Sequence, residues 1–503
     1  MYLRKRRYIA DVNEGRKMIK SKSELLVPTR EERLGTVCAY GGSGKDLARC
    51  LRGGCLKNRD RSFSQSSACD EMMPLLNAAM INDNVVIAHS PVGCSSMIPG
   101  VMLIHKLERE LRGQPSDTVK TISTNFGEHE VVYGGVDELE NAILEAENRY
   151  HPKLITVISS CAAGIIGDDL QAVVNKVQPD VKGIIVPMQC EGFRSGAVAT
   201  GYDTFLVALM RAIEPPKEKK KDTLLIVNPL TISHVNELEI ECLLAKVGIK
   251  VQYFPLFTDV ANIKNASEAT GASTLCNLMS NLFLISMEKK YGIPYVEPPM
   301  PFGIEFTNWW VRDTAMLFGK EQEIEKVIEE EEARVAPVLN EIGSKLEGRR
   351  AFVGFNLART LAIQSLLEEF GMETAVGTGL EYSDAYGLAP LENLNRRSKK
   401  EFTLQIGNFQ HFEWVNLLAK EKPDVLVGGI EYCSTGIRQG IPVAPVLPGT
   451  LYVGYEGALN FGKELVKSLM NPSYAKKISA RANLPYRANW YSQSPFKYIG
   501  GNQ

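Results

Sequence analysis

The chain has 503 residues, of which 44% are hydrophobic and 23% are charged, and its formal net charge is −2. This composition is typical of a globular protein of several domains, and the balanced charge argues against nucleic acid or a membrane surface as a partner. No apolar run reaches the roughly 20 residues that a membrane-spanning helix needs, and no apolar segment follows the basic N-terminus. We therefore expect a cytoplasmic protein.

Short β-branched runs alternate with long amphipathic segments along the chain. Runs that are apolar on both faces are typical of parallel strands covered by helices on each side. The pattern predicts an α/β protein with parallel sheets. The predicted strands lie at 84–89, 153–158, 182–187, 223–228, 349–355 and 424–429.

Changes in composition divide the chain into units. The segment 214–222 contains two prolines and four lysines without apolar periodicity, which indicates a surface linker. The acidic stretch 321–332 carries Ile324, Val327 and Ile328 at helical spacing, which predicts a surface helix with one packed stripe. We predict an N-terminal arm at 1–60, α/β units at 61–215, 222–345 and 346–473, and a C-terminal tail at 474–503.

Three of the ten cysteines lie where predicted strands lead into loops: Cys69, Cys94 in HSPVGCSS and Cys161 in ISSCAAGIIGDD. Ligands gather at the carboxyl ends of parallel strands, so these thiolates can converge as iron–sulfur clusters require. Gly93 and Gly164 would let the backbone approach a bulky cluster. The alternative for each cysteine taken singly is a buried apolar side chain.

The cysteine spacing also bears on the number of chains at such a site. The sequence contains no CxxC pair, which disfavours a zinc ribbon or a ferredoxin-type site within this chain. Three candidate thiolates are one fewer than a four-cysteine set. We therefore expect a second chain to supply the remaining ligands.

Several segments together resemble the α-type subunit of nitrogenase component 1 along nearly the whole chain. HSPVGC, SSCAAGIIGDDL, VPMQCEGFRS, the Cys276 region followed by EKKYGIPYVE, and KPDVLVGG followed by GIP occur in the family's order and near its spacing. The resemblance implies three Rossmann-like domains with a metallocluster buried between them. It also implies an α2β2 heterotetramer with a homologous β-type subunit, and electron delivery by a separate ATP-hydrolysing homodimer with a 4Fe-4S cluster.

The resemblance assigns ligands to two clusters. Cys69, Cys94 and Cys161 fall on the thiolates that hold this subunit's half of an 8Fe-7S P-cluster, which the β-type subunit shares. Cys276, in STLCNLMSN, falls on the cysteine that binds the terminal iron of a large 8Fe-9S-C-type active-site cluster.

The sequence departs from nitrogenase in the expected pocket. Val198 and Tyr202 stand where the family has a glutamine and a histidine, and no histidine follows His411, so the second protein ligand of the active-site cluster is missing or replaced. Glu431 stands near the lysine that holds homocitrate, and its carboxylate would repel that anion. A pocket that is more apolar and relays protons poorly disfavours the reduction of dinitrogen.

Among related enzymes, the nitrogenase-like methylthio-alkane reductase fits these departures best. The expected reaction is reductive cleavage of a carbon–sulfur bond in a small organic sulfur compound, with Tyr202 and Glu431 as candidate proton donors. Their alternatives are a packing phenol and a solvated carboxylate. Cys433 is a candidate replacement for the missing histidine ligand. The expected active-site cluster lacks homocitrate, and its heteroatom is left open.

Other functions stay open beside this one. A scaffold on which the nitrogenase active-site cluster matures would turn over substrate poorly and release its cluster to an apo-enzyme. A tetrapyrrole-type reductase would hold only a four-iron cluster, and such chains lack the full set of three P-cluster cysteines with an equivalent of Cys276. Nitrogenase itself is a further alternative. Cys38, Cys50 and Cys55 receive no role.

Overall fold

The computed structural model describes residues 26–56, 59–65, 68–115, 118–228 and 233–500. Thirteen strands in this part of the chain form three sheets, and eleven of the strands pair only in parallel. The predicted α/β class is confirmed. All six predicted strands are present within two residues of their expected bounds. The first part of the predicted arm, residues 1–25, lies outside the described residues.

The first unit contains a four-stranded parallel sheet of order β3-β2-β4-β5. Its central strands β2 and β4 are buried along their whole length, which explains why their sequences are apolar on both faces. The strands are β2 (Asn84–His89), β3 (Thr121–Ser123), β4 (Leu154–Ser159) and β5 (Ile184–Met188). The helices are Met72–Ala78, Val92–Ser95, Ile98–Leu111, Glu128–Tyr133, Val136–Tyr150, Cys161–Ile166, Leu170–Val177 and Ala199–Leu209, with a 3₁₀ turn at Gln178–Asp180.

The second unit contains a three-stranded parallel sheet of order β7-β6-β8. Its long helix Glu321–Leu346 buries Ile324, Val327 and Ile328 as the acidic stretch predicted. The strands are β6 (Thr223–Asn228), β7 (Lys250–Pro255) and β8 (Gly271–Thr274). The other helices are His234–Ala245, Val260–Lys264, Asn277–Tyr291 and Gly303–Met316, with a 3₁₀ turn at Asn265–Glu268.

The third unit contains a six-stranded sheet of order β1-β11-β10-β9-β12-β13. Its edge strand β1 (Tyr40–Ser43) comes from the predicted arm and pairs antiparallel with β11, whereas the other pairs are parallel. The remaining strands are β9 (Arg350–Gly354), β10 (Glu373–Gly379), β11 (Thr403–Ile406), β12 (Val425–Gly428) and β13 (Val443–Pro445). The helices are Leu357–Glu369, Asp384–Arg397, His411–Glu421, Ile430–Arg438 and Gly454–Met470, and helix Gly44–Arg52 from the arm packs on Asp384–Arg397. The other helix of the arm, Arg30–Leu34, bonds to Asp203 of the first unit and to Asn281 of the second.

The C-terminal tail folds back on this third unit. It contains the helices Ser473–Ser479 and Ala488–Tyr491. The Tyr486 hydroxyl lies 2.7 Å from His411 Nδ1, and the Trp490 ring meets the Phe412 ring edge-on. An isolated bridge between Arg61 and Ile499 joins the tail to the segment that leads into the first unit.

One continuous apolar core joins the units. It includes Val198 and Tyr202 of the first unit, Cys276 and Trp310 of the second, and Ile363 of the third. Within the described residues, no helix is both long and apolar enough to cross a membrane. The three sheets therefore share buried surface around a common interior, and the candidate sites lie in and beside it.

Candidate metallocluster sites

The thiols of Cys94 and Cys161 lie just beyond two neighbouring strands of the first sheet. β2 ends at His89, and Cys94 lies in the short helix Val92–Ser95 that follows. β4 ends at Ser159, and Ser160 caps the next helix by accepting the Ala163 N–H at 3.4 Å, which makes Cys161 its first residue. Because β2 and β4 are adjacent and parallel, both cysteines lie at the same sheet edge.

Cys69 joins these two cysteines beside Gly192, which follows β5. A Cβ atom on Gly192 would lie 2.8 Å from Cys69 Cβ, 3.1 Å from Cys69 Sγ and 3.5 Å from Cys161 Sγ. The Cys94 thiol donates a hydrogen bond to the Glu71 carboxylate. Burial, then the charge of Glu71 and those of the other two cysteines, raises the pKa of Cys94 to about 12. The structure thus brings the three predicted P-cluster cysteines together.

The arrangement fits a group larger than one ion. Across the described ranges, no three His, Cys, Asp or Glu side chains are placed to hold a single metal ion. Cys69 and Cys161 instead border a space that a side chain at position 192 would enter, Cys94 lies close enough to interact electrostatically with both, and each thiol is partly exposed. Such a set suits a polynuclear cluster completed by another chain, and the ligand roles stay predictions.

The two predicted cofactor glycines differ in their surroundings. A Cβ atom on Gly93 would meet no atom within 4 Å, so the backbone there faces open space. A Cβ atom on Gly164 would lie 2.2 Å from Glu191 Cγ. Gly164 therefore allows the Cys161 helix to pack on Glu191, and the cofactor contacts of both glycines stay predictions.

A buried histidine–carboxylate pair, which the sequence analysis missed, braces this edge. His89 Nε2 lies 3.0 Å from Asp168 Oδ2, and Asp168 also accepts the Gly135 N–H at 3.0 Å. Burial lowers the pKa of His89, which favours the neutral imidazole. The pair ties the end of β2 to the segment after the Cys161 helix. Both members of the pair could be read in the sequence: His89 is the first residue of HSPVGC, and Asp168 is the first aspartate of IIGDD.

A cavity of about 370 Å³ lies where the three units meet. Its walls come from the first unit at Val198 and Tyr202, from the second at Leu278 and Met279, and from the third at Phe355, among others. The volume lies within the usual range of small-molecule and cofactor sites. None of the described residues that line it is a histidine.

Cys276 lies next to this cavity at the start of helix Asn277–Tyr291. Its side chain is fully buried, and the residues that follow it, Leu278 and Met279, line the cavity. Burial raises the pKa of Cys276 to about 11, against the opposing effects of the Arg359 charge and of the Leu278 and Met279 N–H groups. The helix N-terminus and the cation thus offset part of the effect of burial, and they would stabilise the thiolate that binds metal.

The three positions that depart from nitrogenase all line the cavity: Val198, Tyr202 and Glu431. Asn77 hydrogen-bonds to the buried Tyr202 phenol, whose pKa burial raises above its usual value. Glu431 lies at the mouth beside Ile430, which is 72% exposed, and partial burial raises the Glu431 pKa. The predicted placement around one pocket is observed, while the proton-donor roles stay predictions.

The sequence analysis missed three charged residues that line the cavity: Glu108, Arg359 and Glu381. Arg359, the only cation among the described lining residues, lies over the Phe355 ring at 5.1 Å from its centroid. Glu381 accepts the Ala199 N–H at 3.1 Å, and burial raises its pKa to about 7. Arg359 lies within the first turn of helix Leu357–Glu369. A single cation among apolar neighbours in this part of the sequence could have identified it as a candidate site residue.

Cys433 lies in helix Ile430–Arg438 and is not among the described residues that line the cavity. Its thiol donates to the Gly428 carbonyl at 3.3 Å and packs with Trp414 and Ile441. Burial raises its pKa to about 12. These contacts are those of a packing residue, and the role of Cys433 as a replacement ligand stays a prediction.

Comparison with known proteins finds relatives along most of the chain. The nitrogenase component 1 type oxidoreductase family matches residues 69–470. The nitrogenase iron-molybdenum cofactor biosynthesis protein NifE of Methanococcus maripaludis is 29% identical over 411 residues, which are 78% of this chain and 81% of that protein. The nitrogenase molybdenum-iron protein alpha chain of Methanothermobacter marburgensis is 26% identical, over 83% of this chain and 89% of that protein.

A solved structure, nitrogenase Cp1 at pH 5, shares the fold with a TM-score of 0.70 at 24% identity, over 86% of this chain and 92% of that one. The architecture and the matched region define an α/β oxidoreductase with three parallel-rich sheets. The chain belongs to the nitrogenase component 1 type oxidoreductase family. The resemblance inferred from the sequence is confirmed at this level.

Proposed function

We propose that the protein is the catalytic subunit of a nitrogenase-like, ATP-dependent reductase that cleaves carbon–sulfur bonds of small methylthio-alkanes. The main support is the cavity next to Cys276, whose described walls are largely apolar and contain no histidine. A neutral thioether suits such walls better than dinitrogen reduction, which needs repeated proton delivery. In the simplest case, two electrons and two protons convert dimethyl sulfide into methane and methanethiol.

The chain's cysteines would hold the clusters that the reaction needs. Cys69, Cys94 and Cys161 would bind half of a P-cluster whose other half a β-type subunit holds, and Cys276 would bind the large active-site cluster. When bound, these clusters supply low-potential electrons that a separate 4Fe-4S reductase delivers at the expense of ATP. Glu431 at the homocitrate position supports a cluster without that acid, because the carboxylate repels another anion.

Three groups that line the cavity can supply protons. Burial raises the pKa of Tyr202, Glu381 and Glu431, so each holds its proton more tightly than it would in water. Glu381 is the group whose pKa of about 7 suits proton transfer at neutral pH. Glu431, at the mouth, is placed to exchange protons with solvent.

The test is an anaerobic assay of the purified complex with its reductase and ATP. Dimethyl sulfide should give methane, and 2-(methylthio)ethanol should give ethylene, each with methanethiol. Iron content should be high, and molybdenum and vanadium are measured in the same sample. A complex rich in iron that leaves both substrates unchanged would contradict the proposal, and a reaction without ATP is the control.

A second candidate function is a scaffold for maturation of the nitrogenase active-site cluster. It is favoured by the 29% identity to a NifE protein and by a second NifE match of 27% that covers 97% of that protein. A scaffold would transfer its cluster to an apo-enzyme and leave methylthio-alkanes intact. Transfer without turnover would therefore favour the scaffold, and turnover with a retained cluster would favour the reductase.

A further inference from the structure

Two cysteines without a role in the proposed reaction meet at the end of helix Gly44–Arg52. Cys50 lies in the last turn of this helix, and Cys55 lies just beyond it. Both are free thiols; Cys55 is exposed and Cys50 is partly exposed. We propose that Cys50 and Cys55 form a redox-active dithiol that closes reversibly to a disulfide by exchange with a disulfide-bearing molecule.

The backbone at this helix end forms a Schellman motif. The Cys55 N–H donates to the Cys50 carbonyl at 3.0 Å, and the Gly54 N–H donates to the Leu51 carbonyl at 3.1 Å. Gly54 takes the left-handed conformation, with φ of +61°. This motif places the side chains of its first and last residues side by side, where natural helices usually have an apolar contact. Here both residues are cysteines.

The Cys55 side chain already folds back onto Cys50. Its thiol donates to the Cys50 carbonyl at 3.4 Å, and the proximity of Cys55 raises the pKa of the Cys50 thiol. Standard bond lengths and the Cys55–Cys50 backbone hydrogen bond limit the Cα separation to about 7 Å, near the upper bound that a disulfide spans. Closing the bond therefore requires side-chain rotation and little backbone movement.

Because Cys55 is more exposed than Cys50, we expect Cys55 to react first with the incoming disulfide. The exposed Cys55 thiolate attacks one sulfur of the incoming disulfide and releases the first thiol, which takes up the proton that Cys55 lost. Cys50 then attacks the Cys55 sulfur of the mixed disulfide and releases the second thiol with its own proton. Both cysteines are oxidised, and the incoming disulfide is reduced to two thiols. This inference is independent of the reaction proposed above.

The experiment uses the full chain in its anaerobically purified complex. The sample is equilibrated with mixtures of oxidised and reduced glutathione, its remaining thiols are alkylated, and its tryptic peptides are identified by mass spectrometry. Trypsin cuts after Arg52, between the two cysteines, so the disulfide appears as two joined peptides. We expect this joined species, its loss on treatment with dithiothreitol, and a glutathione adduct on the exposed Cys242.

Two variants distinguish a redox-active dithiol from two cysteines that react independently. In Cys55→Ser, we expect no joined peptide and a glutathione adduct on Cys50. In Gly54→Ala, strain at positive φ should raise the oxidised-to-reduced glutathione ratio needed for half-closure by about fivefold. Separate glutathione adducts on Cys50 and Cys55 in the unmodified chain would overturn the proposal. So would two unreacted thiols in a sample where Cys242 carries glutathione.

Discussion

Cys276 and Cys433 are both buried cysteines, but their sulfurs meet different groups. The Cys433 thiol donates to the Gly428 carbonyl, which satisfies it without a metal. The Cys276 sulfur lies at a helix N-terminus under the influence of the Arg359 and Arg30 charges. Positive potential at a thiol favours the thiolate, so the two environments predict different roles.

We expect Cys276→Ala to remove the active-site cluster and Cys433→Ala to leave it in place. The first variant should lose about half of the iron and nearly all methane formation from dimethyl sulfide, because one thiolate anchors the cluster. The second should cost about 1–2 kcal/mol of stability through lost packing while keeping its iron. Iron per complex and methane yield are the measurements. Equal iron in the two variants would contradict the ligand role.

At the scale of elements, one buried arginine holds the walls of the cavity together. Arg30 donates to both Asp203 oxygens, from Nε at 2.8 Å and from Nη2 at 2.9 Å. It also donates to the Leu278 carbonyl and lies 3.5 Å from Glu381 Oε1. These contacts join helices Ala199–Leu209 and Asn277–Tyr291 to the segment after β10. A residue of the N-terminal region thus connects all three units around Cys276.

We expect Arg30→Met to destabilise the protein by about 2–3 kcal/mol, because buried Asp203 loses its two bonds to Arg30 and keeps Arg33 as a cationic partner. The midpoint of anaerobic thermal unfolding should fall by several degrees. Arg312→Met is the matched control, because Arg312 pairs with Glu325 where both side chains are nearly half exposed. Its effect should stay below about 1 kcal/mol. Similar shifts in the two variants would show that the Arg30 network is not a structural clamp.

The elements also show what the sequence could and could not predict. Strands such as β2 and β4 are buried on both faces, so a local apolar run was sufficient to find them. β1 consists of two glycines between Tyr40 and Ser43 and pairs with β11 more than 350 residues later, which no local pattern reveals. β7 is an edge strand with partly exposed side chains, so its apolar run is broken.

The residues of the candidate site also include some that the sequence could predict and some that it could not. Cys94 and Cys161 were found because they follow predicted strands, whereas Cys69 and Cys276 were found because they match a family's motifs. Glu381 was not found because a single glutamate after a strand usually faces solvent. Its burial depends on Arg30, which precedes it by about 350 residues, and on the helix at Ala199. Such a long-range ion pair has no local sequence signal.

At the scale of the whole molecule, the edge that carries the three converging thiols has an apolar surface. Val92, Ile165 and Phe193 are 60%, 75% and 61% exposed, and each lies within four residues of Cys94, of Cys161 or of Gly192. Exposed apolar side chains grouped around the three predicted cluster cysteines are typical of a protein interface. A β-type subunit that supplies the missing ligands would cover this surface and the partly exposed thiols together.

We therefore expect Phe193→Glu to prevent assembly with the β-type subunit. A carboxylate at the centre of a desolvated apolar contact costs several kcal/mol, enough to weaken binding by about a hundredfold or more. Met470→Glu is the control, because Met470 is 79% exposed at the end of helix Gly454–Met470 and lies outside this surface. Co-purification with a tagged partner and the iron content of the product are the measurements. If the Phe193 variant still assembles and retains its iron, the partner binds elsewhere and the three thiols do not form a shared site. If it loses both while the Met470 variant keeps both, assembly and cluster retention depend on the same edge of the first sheet.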